Sequence, residues 1–214
     1  MQGFDRKAMA ARLAQDIPEG WYVNLGIGIP TMVGDYVPMD REVILHSENG
    51  ILGMGPAPAK DAIDPWLVNA GKQPVTLRPG GSYCHHADSF AMIRGGHIDL
   101  CVLGAFEVAA NGDIANWATS ENDTAPAVGG AMDLGAGAKR LWVIMEHTTK
   151  DGRPKLVREC GYPLTAPRAV TRVYTNLAVV DVVKGRGFVV VDMAPGVTFD
   201  ALQAVTDAKL HLPA

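Results

Sequence analysis

Apolar positions along the chain fall into two rhythms. Met9, Leu13 and Ile17 recur every fourth residue with charges between them, which predicts an amphipathic helix, and Pro18-Glu19-Gly20 ends it. Trp21 to Gly28 predicts a strand running into a glycine turn. Ile29-Pro30-Thr31 opens a short helix, Met32 to Val37, with Pro30 suited to a first helical position. Val43-Ile44-Leu45 is a short apolar run of the kind that forms a buried strand. Strand, glycine loop, helix, strand is the repeating order of a parallel sheet.

Beyond Gly55, Pro56-Ala57-Pro58 and Asp61 to Pro65 interrupt that order with a loop. Val75-Thr76-Leu77 predicts a short strand, Pro79-Gly80-Gly81 a turn, and His85 to Ile93 a helix ended by Gly95-Gly96. Leu100 to Ala105 is continuously apolar, as a central strand buried on both faces would be. Asn111-Gly112-Asp113 between Val108 and Ile114 is a hairpin signal. Gly129-Gly130 leads into a small-residue helix, Ala131 to Ala138, followed by the strand Leu141 to Met145. The last third changes character. Val173-Tyr174, Leu177 to Val180 and Phe188 to Val191 are β runs with a Lys184-Gly185-Arg186-Gly187 turn, and a helix over Phe199 to Ala208 closes the chain. No internal repeat, low-complexity segment or long linker divides residues 1–214, so one α/β domain with an antiparallel C-terminal addition is expected.

Composition narrows the function. The chain has 214 residues and a net charge of −4, without the basic footprint of a nucleic-acid or anionic-membrane binder. Its 48% hydrophobic and 20% charged content suits a well-packed enzyme or subunit, with apolar surface that a partner could cover. No apolar run approaches the roughly 18 residues of a membrane span. Asp5, Arg6, Lys7, Arg12 and Asp16 leave no signal-peptide core at the N-terminus. Cys84, Cys101 and Cys160 are odd in number and widely spaced, which argues for a reducing compartment over a disulfide framework. A cytoplasmic protein is expected.

The chemistry centres on His46-Ser47-Glu48-Asn49-Gly50 at the end of the Val43 run, with Gly53 and Gly55 close behind. In open α/β sheets, ligands gather outside the carboxyl ends of strands. A carboxylate there, among glycines that let a substrate approach the backbone, is a nucleophile or base; the alternative is a polar turn. Nucleotide motifs fail on spacing. Gly26-x-Gly28 needs a glycine where Thr31 stands, and Gly71-Lys72 is followed by Gln73. A nucleophile elbow around Ser47 needs glycine at 45 and 49, occupied by Leu45 and Asn49. His85 and Asp88, with Cys84 and His86, offer a helix-face pair but no complementary ligands nearby, so no metal is expected. Cys101 reads as a packing residue and Trp117 as core or interface.

Five segments then occur in one order: Asn24-Leu25-Gly26-Ile27-Gly28-Ile29-Pro30, Ser47-Glu48-Asn49-Gly50, Arg94-Gly95-Gly96-His97, Ala115-Asn116-Trp117 and Gly129-Gly130-Ala131-Met132-Asp133-Leu134. Together they resemble the B (β) subunit of class I 3-oxoacid CoA-transferases over nearly the whole chain. The resemblance implies an open, mostly parallel sheet flanked by helices, and an active site shared with an A subunit in an A2B2 heterotetramer. It implies transfer of CoA from succinyl-CoA to a 3-oxo acid with Glu48 as nucleophile, and no cofactor beyond the CoA substrates. By the same resemblance, the Asn24 amide and the Gly129 N–H stabilise or position charge around Glu48. Gly26, Gly28, Asn49 and Gly130 join the substrate-binding set, and Gly50, Gly53 and Gly55 are expected to keep the loop slim enough for the pantetheine arm. His85 or His86 is expected either to receive the distal carboxylate of a dicarboxylic acceptor or to pack on the neighbouring subunit. His85 to Phe90 and Ala125 to Gly130 resemble the 3-oxoadipate branch more than the acetoacetate branch, where a Pro-Gly-Lys-Met-type segment follows the Asn-Trp pair; here Ala118-Thr119-Ser120-Glu121 follows. Acetoacetate as acceptor, acyl-CoA hydrolysis at Glu48, and a non-enzymatic module are the alternatives.

Overall fold

The computed structural model describes residues 3–120 and 127–213. The first half runs α1 (Arg6–Asp16), β1 (Tyr22–Leu25), α2 (Ile29–Met32), β2 (Ile44–Ser47), β3 (Ile51–Met54), β4 (Leu77–Tyr83), α3 (His86–Arg94) and β5 (Leu100–Leu103). Then come β6 (Glu107–Ala109), β7 (Ile114–Ala115), α4 (Gly130–Gly137), β8 (Leu141–Met145) and β9 (Leu156–Val157). The chain closes with β10 (Val170–Thr175), β11 (Ala178–Val183), β12 (Gly187–Met193), α5 (Phe199–Ala204) and β13 (Leu210–His211).

One ten-stranded sheet, in the order β13-β12-β11-β10-β8-β5-β1-β2-β3-β4, carries the fold, and β7-β6-β9 form a small second sheet. Its middle, β2-β1-β5-β8-β10, is parallel throughout. Every residue of β5 and β8 is buried because both faces are covered. Alternate residues go to opposite sides. Leu100, Val102, Trp142 and Ile144 join a core with Met9 and Leu13 of α1. Cys101, Leu103, Val143 and Met145 join a core with Phe90 and Ile93 of α3, Leu134 of α4 and Leu202 of α5.

The antiparallel C-terminal expectation holds for β11 and β12. That extension is continuous with the main sheet, since β10 pairs parallel with β8. The hairpin at Asn111 also forms: Asp113 N–H donates to Asn111 Oδ1 at 3.0 Å and closes the turn between β6 and β7.

Two local expectations are corrected. Pro79-Gly80-Gly81 lies inside β4, which is the outermost strand of the sheet, where a missing N–H costs no ladder bond. Residues 205–208 are not helical: Gln203 Nε2 donates to the carbonyls of Thr206 and Ala208, closing off α5, and its Oε1 accepts from Leu210 N–H to start β13. At its carboxyl end β2 folds back at once into β3, so that β2, β3 and β4 make an antiparallel edge opposite the C-terminal one.

Candidate active site

That edge hairpin sets the position of Glu48. Ser47 pairs with Ile51, which leaves a three-residue loop, 48–50. Gly50 N–H donates to Ser47 O at 3.0 Å, and Gly50 takes φ +109°, the positive value such loops require at their last residue. A side chain at Gly50 would collide with the Cys84 carbonyl oxygen, which packs against it. The turn is therefore tight, and it presents Glu48 from a fixed backbone. Ser47 Oγ accepts from Ala70 N–H at 3.0 Å and Asn49 Nδ2 donates to Val68 O at 2.7 Å. Both side chains anchor the 56–76 segment so that Ala70 stands beside the glutamate.

Glu48 faces a cavity of about 660 Å³. Leu25, Gly26 and Ile27 line it from the end of β1, Leu103 to Phe106 from the end of β5, and Gly130, Ala131 and Leu134 from α4. Asn116, Trp117 and Lys155 complete the lining. The cavity thus opens at the carboxyl ends of adjacent parallel strands, where βα loops leave a crevice. Burial pushes the Glu48 carboxyl above its ordinary pKa, and the charge of His86 acts the other way. Gly130 brings the first turn of α4 against the carboxylate: a Cβ there would sit 3.2 Å from Glu48 Oε2 and 2.8 Å from Phe90 Cζ. A helix N-terminus carries partial positive charge and favours the ionised carboxylate. Arg94 holds α4 in place through a bidentate pair with Asp133, at 2.7 and 3.1 Å.

Beneath Glu48 runs a buried polar row. Asn24 on β1 pairs in register with His46 on β2 and Cys101 on β5, so all three side chains point to the same face of the sheet. Asn24 Nδ2 lies 2.9 Å from His46 Nδ1, and Ser89 Oγ of α3 lies 2.8 Å from His46 Nε2. Since the amide nitrogen can only donate, Nδ1 accepts and Nε2 carries the proton it gives to Ser89. Cys101 Sγ donates to Asn24 Oδ1 at 3.7 Å. Burial lowers the His46 pKa to about 4, so the ring is neutral near pH 7, and burial with the Glu48 charge raises that of Cys101, which stays a thiol. The row ties β1, β2, β5 and α3 together two residues from the glutamate.

The structure gathers some of the anticipated residues and separates others. Gly26 and Gly130 line the cavity with Glu48. Gly129, at φ +55°, caps α4 immediately before Gly130. Asn24 does not line the cavity, because its amide is engaged with His46. Gly28 caps α2 on the exposed surface, and Asn49 serves the loop anchor. Gly53 and Gly55 do not line the cavity. They let β3 lie close to its neighbours, since a Cβ at Gly53 would stand 2.8 Å from Gly81 Cα, and one at Gly55 would strike Thr76 Oγ1. Neither His85 nor His86 lines the cavity. His85 Nδ1 accepts from Ala87 N–H at 3.1 Å and caps α3, and His86 stacks on Phe90 with centroids 4.9 Å apart. Among the described residues no three His, Cys, Asp or Glu side chains gather as a metal centre requires, and no helix is long and apolar enough to cross a membrane. Glu121, Ala125 and Pro126, which carry part of the branch resemblance, lie outside the described residues.

The sequence assigned no individual role to His46, Ser89, Phe106 or Lys155. His46 adjoins the Ser-Glu-Asn-Gly motif and was findable by its inward alternation from Leu45. Lys155 sits in a polar turn without any spacing signal.

Known proteins share this sequence pattern and fold. Residues 6–204 match the coenzyme A transferase family. The chain is 55% identical over 205 residues to the B subunit of the 3-oxoadipate CoA-transferase of Acinetobacter baylyi, covering 96% of this chain and 94% of that protein. It is 44% identical over 207 residues to the B subunit of the succinyl-CoA:3-ketoacid coenzyme A transferase of Helicobacter pylori, covering 97% and 99%. Its fold superimposes on an acyl-CoA transferase from Escherichia coli O157:H7 with a TM-score of 0.75 at 21% identity, covering 98% of this chain and 42% of that one.

Proposed function

The chain belongs to the coenzyme A transferase family, and on that premise we propose that it is the Glu48-bearing B subunit of a succinyl-CoA:3-oxoacid CoA-transferase that favours 3-oxoadipate. The observation that carries the reading is Glu48 itself: a half-buried carboxylate on a rigid hairpin turn, facing a cavity large enough for an acyl group and touched by the α4 N-terminus. The names of the similar B subunits support both the acceptor class and the need for an A subunit. An A2B2 assembly in the cytoplasm completes the proposal.

The transfer is balanced without a cofactor. The Glu48 carboxylate attacks the succinyl-CoA carbonyl, the C–S bond breaks, and CoA leaves as thiolate from a succinyl-glutamyl anhydride. The thiolate attacks the Glu48 carbonyl and releases succinate, leaving a glutamyl-CoA thioester. The 3-oxo acid's carboxylate then attacks that thioester and again displaces the thiolate. The thiolate attacks the acceptor's acyl carbon, giving acyl-CoA and regenerating Glu48. Covalent catalysis divides one exchange into steps that each trade a carboxylate for a thiolate. Each tetrahedral intermediate places charge on oxygen, where one fixed donor is worth about 3–4 kcal/mol; the Gly129 N–H is our assignment for that role. Asn24 we assign a positioning role through His46.

The test is a transfer assay on the chain assembled with its A subunit, using succinyl-CoA with 3-oxoadipate or acetoacetate. The expected result is transfer to 3-oxoadipate with the higher kcat/KM, abolished by Glu48→Gln. Hydrolysis of succinyl-CoA without transfer to either acid would replace this reading with a thioesterase.

A further inference from the structure

Glu48 and Lys155 are the only charged side chains among the described residues that line the cavity. The other polar side chains of the wall are already bonded. Asn116 Nδ2 donates to Gly104 O at 3.1 Å and its Oδ1 accepts from Thr165 Oγ1 at 2.6 Å, while the Trp117 indole N–H donates to Leu164 O at 3.1 Å. The Lys155 amine takes part in none of the ion pairs among the described residues. Its backbone is fixed on both sides, N–H to His147 O at 3.1 Å and carbonyl to Val108 N–H at 2.9 Å, so the root of the side chain is rigid.

We propose that Lys155 receives the distal carboxylate of a dicarboxylic acyl group whose other end reacts at Glu48. The inference rests on the reading of Glu48 as the acyl-transfer nucleophile. Succinyl and 3-oxoadipyl groups share a second carboxylate that acetoacetyl lacks, and the wall offers that anion one cationic side chain among the described residues. Lys155 is not the counter-ion of Glu48: the charge that acts on the Glu48 carboxyl is that of His86. Burial disfavours the charged amine and the Glu146 charge only partly offsets it, so a carboxylate arriving in the cavity would meet an amine that forms no ion pair among the described residues. This assigns to Lys155 the task that the sequence suggested for His85 or His86.

The experiment compares wild type, Lys155→Met and Lys155→Arg, each assembled with the A subunit and checked for an unchanged melting temperature. Succinate and butyrate, which differ by one carboxylate, serve as competing inhibitors of the transfer. The wild type is expected to bind succinate the more tightly. In Lys155→Met the KM for succinyl-CoA should rise about 30–100-fold with kcat within about threefold, and the preference for succinate over butyrate should vanish. Lys155→Arg should retain most of that preference. A Lys155→Met complex that still prefers succinate, or that loses kcat with KM unchanged, overturns the assignment. Labelling of Glu48 by succinyl-CoA in the same samples separates this failure from that of the transfer reading. Label on Glu48 with unchanged selectivity sinks the lysine alone, whereas no label in the wild type sinks both.

Discussion

Replacing His46 with glutamine tests the buried row beneath the nucleophile. The native ring resists protonation until about pH 4, while the same ring in the unfolded chain takes up a proton near its ordinary 6.5. As pH falls below 6.5 the unfolded state binds the proton first, so the native state loses stability by about 1.4 kcal/mol per pH unit until about pH 4. Between pH 7.5 and 5.0 this residue alone should therefore cost the wild type about 2 kcal/mol. His46→Gln retains a polar side chain that satisfies Asn24 or Ser89 but does not titrate. At pH 7.5 it should be about 1–2 kcal/mol less stable, from one lost buried bond. At pH 5.0 the gap should close or reverse, because only in the wild type does protonation at position 46 favour the unfolded chain. His147, equally buried and also lowered to about 4, titrates alike in both proteins and cancels. Urea unfolding followed by tryptophan fluorescence at the two pH values reads the difference directly. A stability gap that stays constant with pH would refute the lowered pKa of His46.

Other substitutions separate the roles of neighbouring residues. Gly130→Ala should cut kcat by on the order of tenfold or more, because its Cβ would press on Glu48 Oε2 and Phe90 Cζ; wild-type turnover in the variant would deny that contact its importance. Gly50→Ala should destabilise the fold by about 2–4 kcal/mol, since it combines a positive φ with a collision at the Cys84 carbonyl, and a melting curve overlaying the wild type would contradict this. Activity should fall on the acid side as Glu48 is protonated, with the midpoint above the ordinary carboxylate range because burial raises its pKa. His86→Gln should move that limb to higher pH by removing the opposing charge, and a limb that shifts downward or stays in place would exclude the electrostatic link.

Much of this arrangement was legible because it is local. The α1 stripe, the continuous apolar run of β5 and the glycines around Glu48 follow from spacing alone, and the order of the five segments pointed to the family. The hairpin at Glu48 was legible in part, since Asn49-Gly50 is a hairpin dipeptide, but a strand end at a parallel-sheet crevice explained the same residues equally well. Pairing across the sheet was not legible. Pro79-Gly80-Gly81 has turn chemistry, and only the outermost position of β4 makes it a tolerable strand. The partners of Asn24 are 22 and 77 residues away, and they meet because the β1–β2 and β1–β5 registers bring them level. Gly53 and Gly55 share composition with a substrate loop, yet their closeness to Gly81 and Thr76 assigns them to strand packing. Lys155 reaches the cavity through the small sheet, a placement that no periodicity encodes.

The central claim is that Glu48 carries the transferred group. The most direct measurement is mass spectrometry of the chain assembled with its A subunit, quenched after exposure to succinyl-CoA, with the Ser47–Gly50 peptide as the readout. The expected result is a CoA-bearing, hydroxylamine-labile adduct on Glu48 that disappears when 3-oxoadipate is added. A folded, assembled and turning-over complex with no adduct on that peptide would contradict the claim.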